Sequence, residues 1–137
     1  MNIDLLKLEL TRDEGVRLRP YKDTVGKLTL GIGRNLDDVG ISADEADFML
    51  SNDLNERVLP GLRKSLPWYS TLNESRQRVL ANMAFNLGID GLLKFRNMLA
   101  ACQAGDYNLA ANEMLNSTWA KQVGDRAQRL ADMMRGG

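Results

Sequence analysis

The spacing of apolar residues differs along the chain, and near the N-terminus it predicts one helix followed by one strand. Residues 3–12 are rich in leucine and predict a short helix, which the glycine shortly after them can end. Leu28 and Leu30 then alternate with polar residues, a period-two pattern that predicts a half-buried strand with Thr29 on the opposite, polar face. Because residues 22–26 are rich in turn formers, we expect this strand to close a small antiparallel hairpin.

A second helix is predicted to begin after Ser42, because Ser42 and Glu45 have the spacing of a helix capping box. The residues expected on its apolar side are Ala46, Met49, Leu50, Leu54 and Val58. Pro60 lies in the path of this helix, and a proline inside a helix is unfavourable by about 3 kcal/mol since it lacks a backbone donor. We therefore expect the helix to bend or to end within a residue or two of Leu59.

The rest of the chain repeats helical spacing and predicts a bundle of helices. The apolar series run from Val79 to Leu87, from Leu92 to Cys102, from Leu109 to Met114 and from Ala127 to Met134. Gly88 and Gly105 can end the first two series, and Asp106 can cap the third. The predicted class is therefore α+β, with a small N-terminal β-sheet lobe, a connecting helix and a mainly helical C-terminal lobe.

Length and domain organisation are consistent with that class. The chain has 137 residues, enough for one domain that buries a core without disulfides or metals. We expect residues from about 12 to about 60 to form the sheet lobe and connecting helix. The helical lobe should comprise residues from about 61 to about 137 together with the N-terminal helix.

Composition narrows the chemistry. Lys and Arg number 18, as do Asp and Glu, so the net charge is zero and gives no reason to expect a nucleic-acid partner. There is no histidine and one cysteine, which excludes a Ser-His or Cys-His nucleophile, a disulfide scaffold and a metal site rich in His or Cys. Cys102 itself is expected to be an inert buried thiol. No stretch has membrane-spanning length, and the N-terminus lacks the apolar run of a signal peptide.

Carboxylates are therefore the obvious acid and base, and Glu14 and Asp23 are the first candidates. Both lie beside predicted backbone breaks, where functional side chains often project into a cleft. Hydrolysis of a glycosidic bond needs one carboxylic acid to protonate the leaving oxygen and a second carboxylate to activate water or stabilise the transition state. Spacing alone does not assign these roles, since Glu14 could simply pair with Arg17 and Asp23 could simply form the turn.

Three blocks of the sequence resemble the phage-type lysozymes, the glycoside hydrolase family that includes the T-even phage enzymes. In the first block, Glu14, Asp23 and Thr29 match the family pattern of Glu, eight residues, Asp, five residues, Thr. Residues 82–88 are similar to the family's central buried helix, and residues 119–127 resemble its C-terminal segment with Trp and Arg. The blocks occur in family order and span nearly the whole chain.

The resemblance implies an endolysin that hydrolyses the β-1,4 bond between N-acetylmuramic acid and N-acetylglucosamine in bacterial peptidoglycan, leading to host lysis. It implies Glu14 as general acid, Asp23 as the residue that orients or activates water or stabilises positive charge, and Thr29 as a water-holding residue. The side chains implied to line the substrate cleft are Tyr21, Leu30, Asn86, Gln122 and Arg126. No metal or cofactor is implied.

The resemblance also implies a setting for the enzyme. We expect a monomer that binds a glycan strand between two lobes and that has neither a nucleic-acid partner nor a stable membrane association. It should stay in the host cytoplasm until release and then act on the periplasmic peptidoglycan, with a separate holin needed for export.

Some positions depart from the family pattern. Arg34 stands where the family often has His, so the ion pair at that position should differ. Asn86 replaces a commoner Gln, which is expected to loosen one sugar contact. Neither change touches the Glu-Asp-Thr set.

Two other functions remain open, a catalytically inactive wall-binding module and a lytic transglycosylase. A pure binder has no need of the general acid Glu14, and a transglycosylase has no need of a water-activating Asp23.

Water held by Asp23 and Thr29 predicts an inverting displacement, with the two catalytic carboxyls roughly 6.5–9.5 Å apart. Arg126 is expected within pairing distance of Glu14.

Overall fold

The computed structural model describes every residue from Met1 to Gly137, and it divides into two compact units, Met1–Met49 and Leu50–Gly137. In this division the first helix lies in the same unit as the sheet. The grouping of that helix with the helical lobe, and the lobe limits expected from the sequence, stay predictions. None of the helices combines the length and the apolar character that crossing a bilayer would need.

The first unit contains one helix and a three-stranded antiparallel sheet in the order β1–β2–β3. Its elements are α1 (Ile3–Glu14), β1 (Arg17–Lys22), β2 (Leu28–Gly31) and β3 (Arg34–Asn35). Asn2 caps α1 by accepting a hydrogen bond from the Leu5 N–H at 2.9 Å, and Gly15 ends it. The predicted helix and hairpin are confirmed, whereas the short third strand was not predicted.

The side of β2 that is buried is the opposite of the one expected. Thr29 is 3% exposed, whereas Leu28 is 36% exposed. Thr29 lies in the central strand, opposite Tyr21 of β1 and Asn35 of β3, so neighbours cover it on both sides. Its hydroxyl donates to the Lys27 carbonyl at 2.9 Å, which leaves no donor unpaired. Thr29 therefore lies on the face opposite Leu28 and Leu30, as predicted, but at this position the polar face is the covered one.

The helical stretch that follows the sheet changes its hydrogen-bonding pattern twice. The predicted capping box starts α2 (Ala43–Asn52), since the Glu45 N–H donates to Ser42 Oγ at 3.1 Å and the Ser42 N–H donates to Glu45 Oε1 at 2.8 Å. A π-helical segment, Asp53–Val58, then leads into α3 (Leu59–Ser65). A break in the α-helical pattern next to Leu59 is thus present, but the helix does not end there. The wide π turn places the proline in the first turn of α3, where its missing N–H is not needed.

The second unit is helical and holds the hydrophobic core. After a 3-10 turn (Tyr69–Thr71) it contains α4 (Glu74–Leu93), α5 (Arg96–Ala104), α6 (Tyr107–Leu115), α7 (Thr118–Val123) and α8 (Asp125–Gly136). Gly88 interrupts α4 with non-helical dihedral angles, and Asp106 caps α6 by accepting from the Leu109 N–H at 3.1 Å. The helices predicted from apolar spacing are present, but Leu92 belongs to α4 and not to the helix that ends at Gly105, and α7 was missed.

The single cysteine of the chain is buried in this core, which limits the reactivity of its thiol. Cys102 is 1% exposed, and its sulfur lies 3.7 Å from that of Met98 and 3.8 Å from that of Met134. Burial raises the pKa of the Cys102 thiol to about 11, so the thiolate is not populated at neutral pH. The expectation of an inert buried thiol is confirmed.

Candidate active site

Glu14 is the last residue of α1, and its side chain is exposed. Within the first unit its carboxylate has no ion-pair partner, and it packs against the backbone of Gly33. The alternative partner, Arg17, instead places its guanidinium 4.4 Å from the centre of the Tyr21 ring. The first unit therefore leaves the Glu14 carboxyl free to exchange a proton with a ligand.

Asp23 forms the hairpin turn, as the simpler interpretation of its sequence position predicts, but it uses only one carboxylate oxygen to do so. Oδ1 accepts hydrogen bonds from the Val25 N–H at 3.0 Å and from the Lys27 N–H at 2.8 Å. The Asp23 N–H in turn donates to the Lys27 carbonyl at 2.9 Å. These bonds fix the orientation of the carboxylate, and they leave Oδ2 available to a ligand or a water molecule.

Thr29 is anchored to the same backbone residue as Asp23. The Lys27 carbonyl accepts the Thr29 hydroxyl as well as the Asp23 N–H, so one peptide segment positions both side chains. Because the hydroxyl uses its hydrogen in this bond, its oxygen can still accept a hydrogen bond from water. Tyr21 is the cross-strand partner of Thr29, which puts their side chains on the same face of the sheet.

Leu30 lies on the other face of β2. It lines an apolar pocket of about 690 Å³ within the first unit, together with Ile41, Phe48 and Met49. The structure thus groups Tyr21, Asp23 and Thr29 around the hairpin, and it separates Leu30 from them by the thickness of the sheet.

The remaining predicted cleft residues lie in the second unit, where asparagines of α4 hold two C-terminal side chains. Asn86 Oδ1 accepts the indole N–H of Trp119 at 2.8 Å. One helical turn earlier, Asn82 Oδ1 accepts two hydrogen bonds from the Arg126 guanidinium, at 2.9 and 2.7 Å. The bond from Trp119 uses one of the two acceptor sites of the Asn86 oxygen, so the other acceptor site and the amide N–H groups remain for a ligand.

Gln122 is exposed and lines a pocket of about 740 Å³ with Trp119, Phe95 and Glu113. The expected pairing of Arg126 with Glu14 joins residues of different units and stays a prediction. So does the separation of the two catalytic carboxyl groups.

Two positions that shape this site were not predicted from the sequence. Asn82 lies in the helical block that resembles the family, and its spacing of four from Asn86 places both on one helix face, a signal that could have found it. The role of Lys27 belongs to its peptide groups, which every non-proline residue carries, so no side-chain signal could reveal it.

An ion pair ties β3 to the start of α2. Arg34 donates to both carboxylate oxygens of Glu45, each at 2.8 Å, and to the Gly40 carbonyl at 3.1 Å. These bonds from Arg34, followed by those from Ser42, lower the pKa of Glu45 to about 2. The bidentate pair fixes the loop that leads away from the sheet. No group of three or more acidic or cysteine side chains is arranged to hold a metal ion.

Comparison with known proteins yields consistent matches. A family model described as phage lysozyme matches residues 11–135. The pre-baseplate central spike protein of Enterobacteria phage T4 is 34% identical, over 88% of this chain and 26% of its own length. A probable T4-type lysozyme of Dictyostelium discoideum is 28% identical, over 98% of this chain and 96% of its own. An endolysin of Bacillus phage B103 is 34% identical, over 90% of this chain and 48% of its own.

Proposed function

The chain belongs to the phage lysozyme family, and from that premise we propose that it hydrolyses the β-1,4 bond between N-acetylmuramic acid and N-acetylglucosamine in peptidoglycan. Glu14 is the general acid. Asp23 and Thr29 hold the attacking water. Tyr21, Asn86, Gln122 and Arg126 contact the glycan strand. Leu30, which the sequence also suggested, lies on the other face of β2 and is left out of this set.

The observation that carries this proposal is the shared anchoring of Asp23 and Thr29 on the backbone of Lys27. One oxygen of Asp23 is immobilised, and the other is free to accept a hydrogen from water. The oxygen of Thr29 can accept the second hydrogen, which leaves a lone pair of the water for the anomeric carbon. A turn with a purely structural role would not need the buried Thr29 hydroxyl bonded to the same Lys27 carbonyl as Asp23.

The chemical step then assigns one task to each of these groups. Glu14 delivers its proton to the glycosidic oxygen while the bond from that oxygen to the anomeric carbon breaks. Water adds to the opposite face of the sugar, and Asp23 takes the proton that the water loses. The outcome is inversion, with Glu14 left ionised and Asp23 protonated.

In its biological setting the enzyme acts as an endolysin. The protein is a monomer that remains in the host cytoplasm until a separate holin permits its release to the periplasmic peptidoglycan. Degradation of the wall then lyses the host. A zero net charge gives the enzyme no long-range attraction to an anionic wall, so affinity must come from contacts within the cleft.

The deciding experiment is lysis of chloroform-treated Gram-negative cells, followed as loss of turbidity, with the variant Glu14→Gln. Loss of a general acid should lower the rate by about a hundredfold to ten-thousandfold while the fold is retained. The matched control is Glu9→Gln, an exposed carboxylate on the same helix, which should lyse like the parent. A folded Glu14→Gln protein that keeps more than about a tenth of the activity contradicts the assignment.

The products distinguish the remaining alternatives. Proton NMR during early turnover should show the α-anomer before mutarotation equilibrates the two forms. A β-anomer would exclude the water-holding role of Asp23 and Thr29. An anhydro sugar in the mass spectrum would indicate a transglycosylase, and a parent protein that binds walls without lysing cells would indicate a binding module.

A further inference from the structure

The backbone of Gly33 lies directly against the carboxyl group of Glu14. A Cβ atom at position 33 would lie 2.9 Å from Glu14 Oε2, 3.0 Å from its Cδ and 3.2 Å from its Cγ. Real Cβ atoms essentially never lie closer than 3.0 Å to another heavy atom, so a methyl group here would force the carboxyl group to move. The space that the Glu14 carboxyl occupies therefore exists because residue 33 has no side chain.

The structure holds Gly33 on its C-terminal side, so the flexible end of Glu14 is the easier of the two to move. It lies in the turn between β2 and β3, with Leu30 and Arg34 paired across that turn. Arg34, the next residue, is fixed by its two bonds to Glu45 and by its bond to the Gly40 carbonyl. Any added bulk at position 33 must therefore be accommodated by Glu14.

Glu14 can accommodate that bulk only by changing where its carboxyl group lies. The three atoms that would collide are the distal end of a flexible, exposed side chain with no ion pair in the first unit. Movement of this end disturbs the fold little, but it displaces the group that must reach the glycosidic oxygen. A substitution at position 33 can therefore lower the catalytic rate through Glu14 with little loss of stability from that contact.

We propose that Gly33 is a positioning residue for the general acid: its bare backbone sets the place of the Glu14 carboxyl. This inference rests on the proposed function, in which Glu14 donates the proton. Proton transfer needs the acid within hydrogen-bond reach of the leaving oxygen, so a displacement of about 1 Å can lower the rate by about a hundredfold.

Gly31 supplies a matched control for the conformation of Gly33. Both glycines have positive φ, 72° for Gly31 and 67° for Gly33, so alanine strains the backbone at either position. A Cβ at Gly31 meets no atom within 4 Å, however. A comparison of Gly33→Ala with Gly31→Ala therefore cancels the strain and isolates the contact with Glu14.

The experiment measures kcat, KM and urea stability of both variants on a soluble peptidoglycan fragment, together with the carbon-13 NMR signal of the Glu14 carboxyl. We expect similar losses of stability, a kcat at least about tenfold lower for Gly33→Ala than for Gly31→Ala, and similar KM values. The Glu14 carboxyl signal should shift in Gly33→Ala alone. Equal kcat values with an unmoved carboxyl signal would overturn the proposal.

A second pair of glycine variants and the Glu14→Gln variant keep the outcome decisive. If alanine prevents folding, Gly33→Asn and Gly31→Asn replace the pair, because asparagine tolerates positive φ better and still carries a Cβ. Glu14→Gln separates the two hypotheses. Full activity of Glu14→Gln defeats the proposed function, whereas an inactive Glu14→Gln with equal glycine variants defeats only the positioning role.

Discussion

The two units of the protein bury different kinds of atoms. Every buried hydrophobic side chain lies between Val58 and Met134, in the second unit. In the first unit, Thr29 is the single buried side chain, and the turns are defined by hydrogen bonds that the side chains of Asp23 and Ser42 accept and that Arg34 donates. The residues assigned to the chemical step all belong to the unit that lacks a buried apolar core.

The difference separates two tasks, stability and orientation. Burial of apolar surface contributes roughly 25 cal/mol per Å², and this contribution is not directional. A hydrogen bond contributes only about 1 kcal/mol net, but its geometry fixes the direction of the groups that it joins. A carboxylate and a hydroxyl that together hold one water molecule need hydrogen bonds of this kind, because their direction must be fixed.

Leu80→Ala should give the largest effect, because it tests the core directly. Leu80 is fully buried in α4, and truncation of such a leucine lowers the free energy of unfolding by about 2–5 kcal/mol. Its counterpart in the first unit is Leu18→Ala, since Leu18 is 85% exposed and should change the stability by less than about 0.5 kcal/mol.

Urea denaturation followed by tryptophan fluorescence suits the Leu80 measurement, since Trp68 and Trp119 both lie in the second unit. Circular dichroism should accompany it, because it reports the helices of both units. A loss for Leu18→Ala as large as that for Leu80→Ala would show that the first unit also depends on apolar burial.

The contrast between the units also explains which parts of the fold could be predicted from the sequence. Helices of the second unit bury one face each, so their apolar periodicity is visible in the residue order alone. Alternation in β2 revealed a strand but could not tell which face would be covered, and Thr29 proved to be the buried residue. The third strand, Arg34–Asn35, and the six-residue α7 are too short to show a period.

The candidate site divides in the same way. Glu14, Asp23 and Thr29 could be predicted because their spacing matches a family pattern. The anchor on Lys27 uses peptide groups that nearly every residue type carries, and the contact of Gly33 with Glu14 joins residues distant in sequence, so only the three-dimensional fold reveals them. When backbone groups position the side chains of a site, the residue types in the sequence give little sign of it.

Thr29→Val tests the hydrogen bonds of the first unit, and it should lower the stability less than Leu80→Ala does. Valine has nearly the shape of threonine and good strand propensity, and the Lys27 carbonyl keeps its bond from the Asp23 N–H. The free energy of unfolding should therefore fall by only about 1 kcal/mol. The rate of lysis should fall at least about tenfold, because the water loses one of its two acceptors.

Thr11→Val is the control for Thr29→Val, since the hydroxyl of Thr11 also donates to a backbone carbonyl, that of Lys7, but within α1 and away from the hairpin. It should leave the lysis rate unchanged. A fully active Thr29→Val enzyme would remove Thr29 from the mechanism and would leave its hydroxyl a purely structural role.

The smallest expected effect concerns Glu45, whose ion pair with Arg34 is part of the polar support of the first unit. The bonds from Arg34 and Ser42 lower the pKa of Glu45 from 4.5 to about 2, so the folded state favours the ionised carboxylate. The resulting stabilisation is complete above the unfolded pKa of 4.5, and it is lost as the pH falls from there to about 2. The pair is partly exposed, so salt should weaken it further.

Glu45→Gln tests this dependence, because glutamine keeps the shape and one acceptor oxygen but cannot be ionised. NMR signals of backbone amides in β3 and α2, followed through urea titrations at several pH values, report the first unit specifically. Parent and variant should differ at neutral pH and converge as the pH approaches about 2. Asp44→Asn, at the neighbouring exposed carboxylate, is the matched control. A gap that stays constant over that range would mean that the shape of Glu45, and not its charge, supports the loop. The first unit would then depend on packing in the same way as the second.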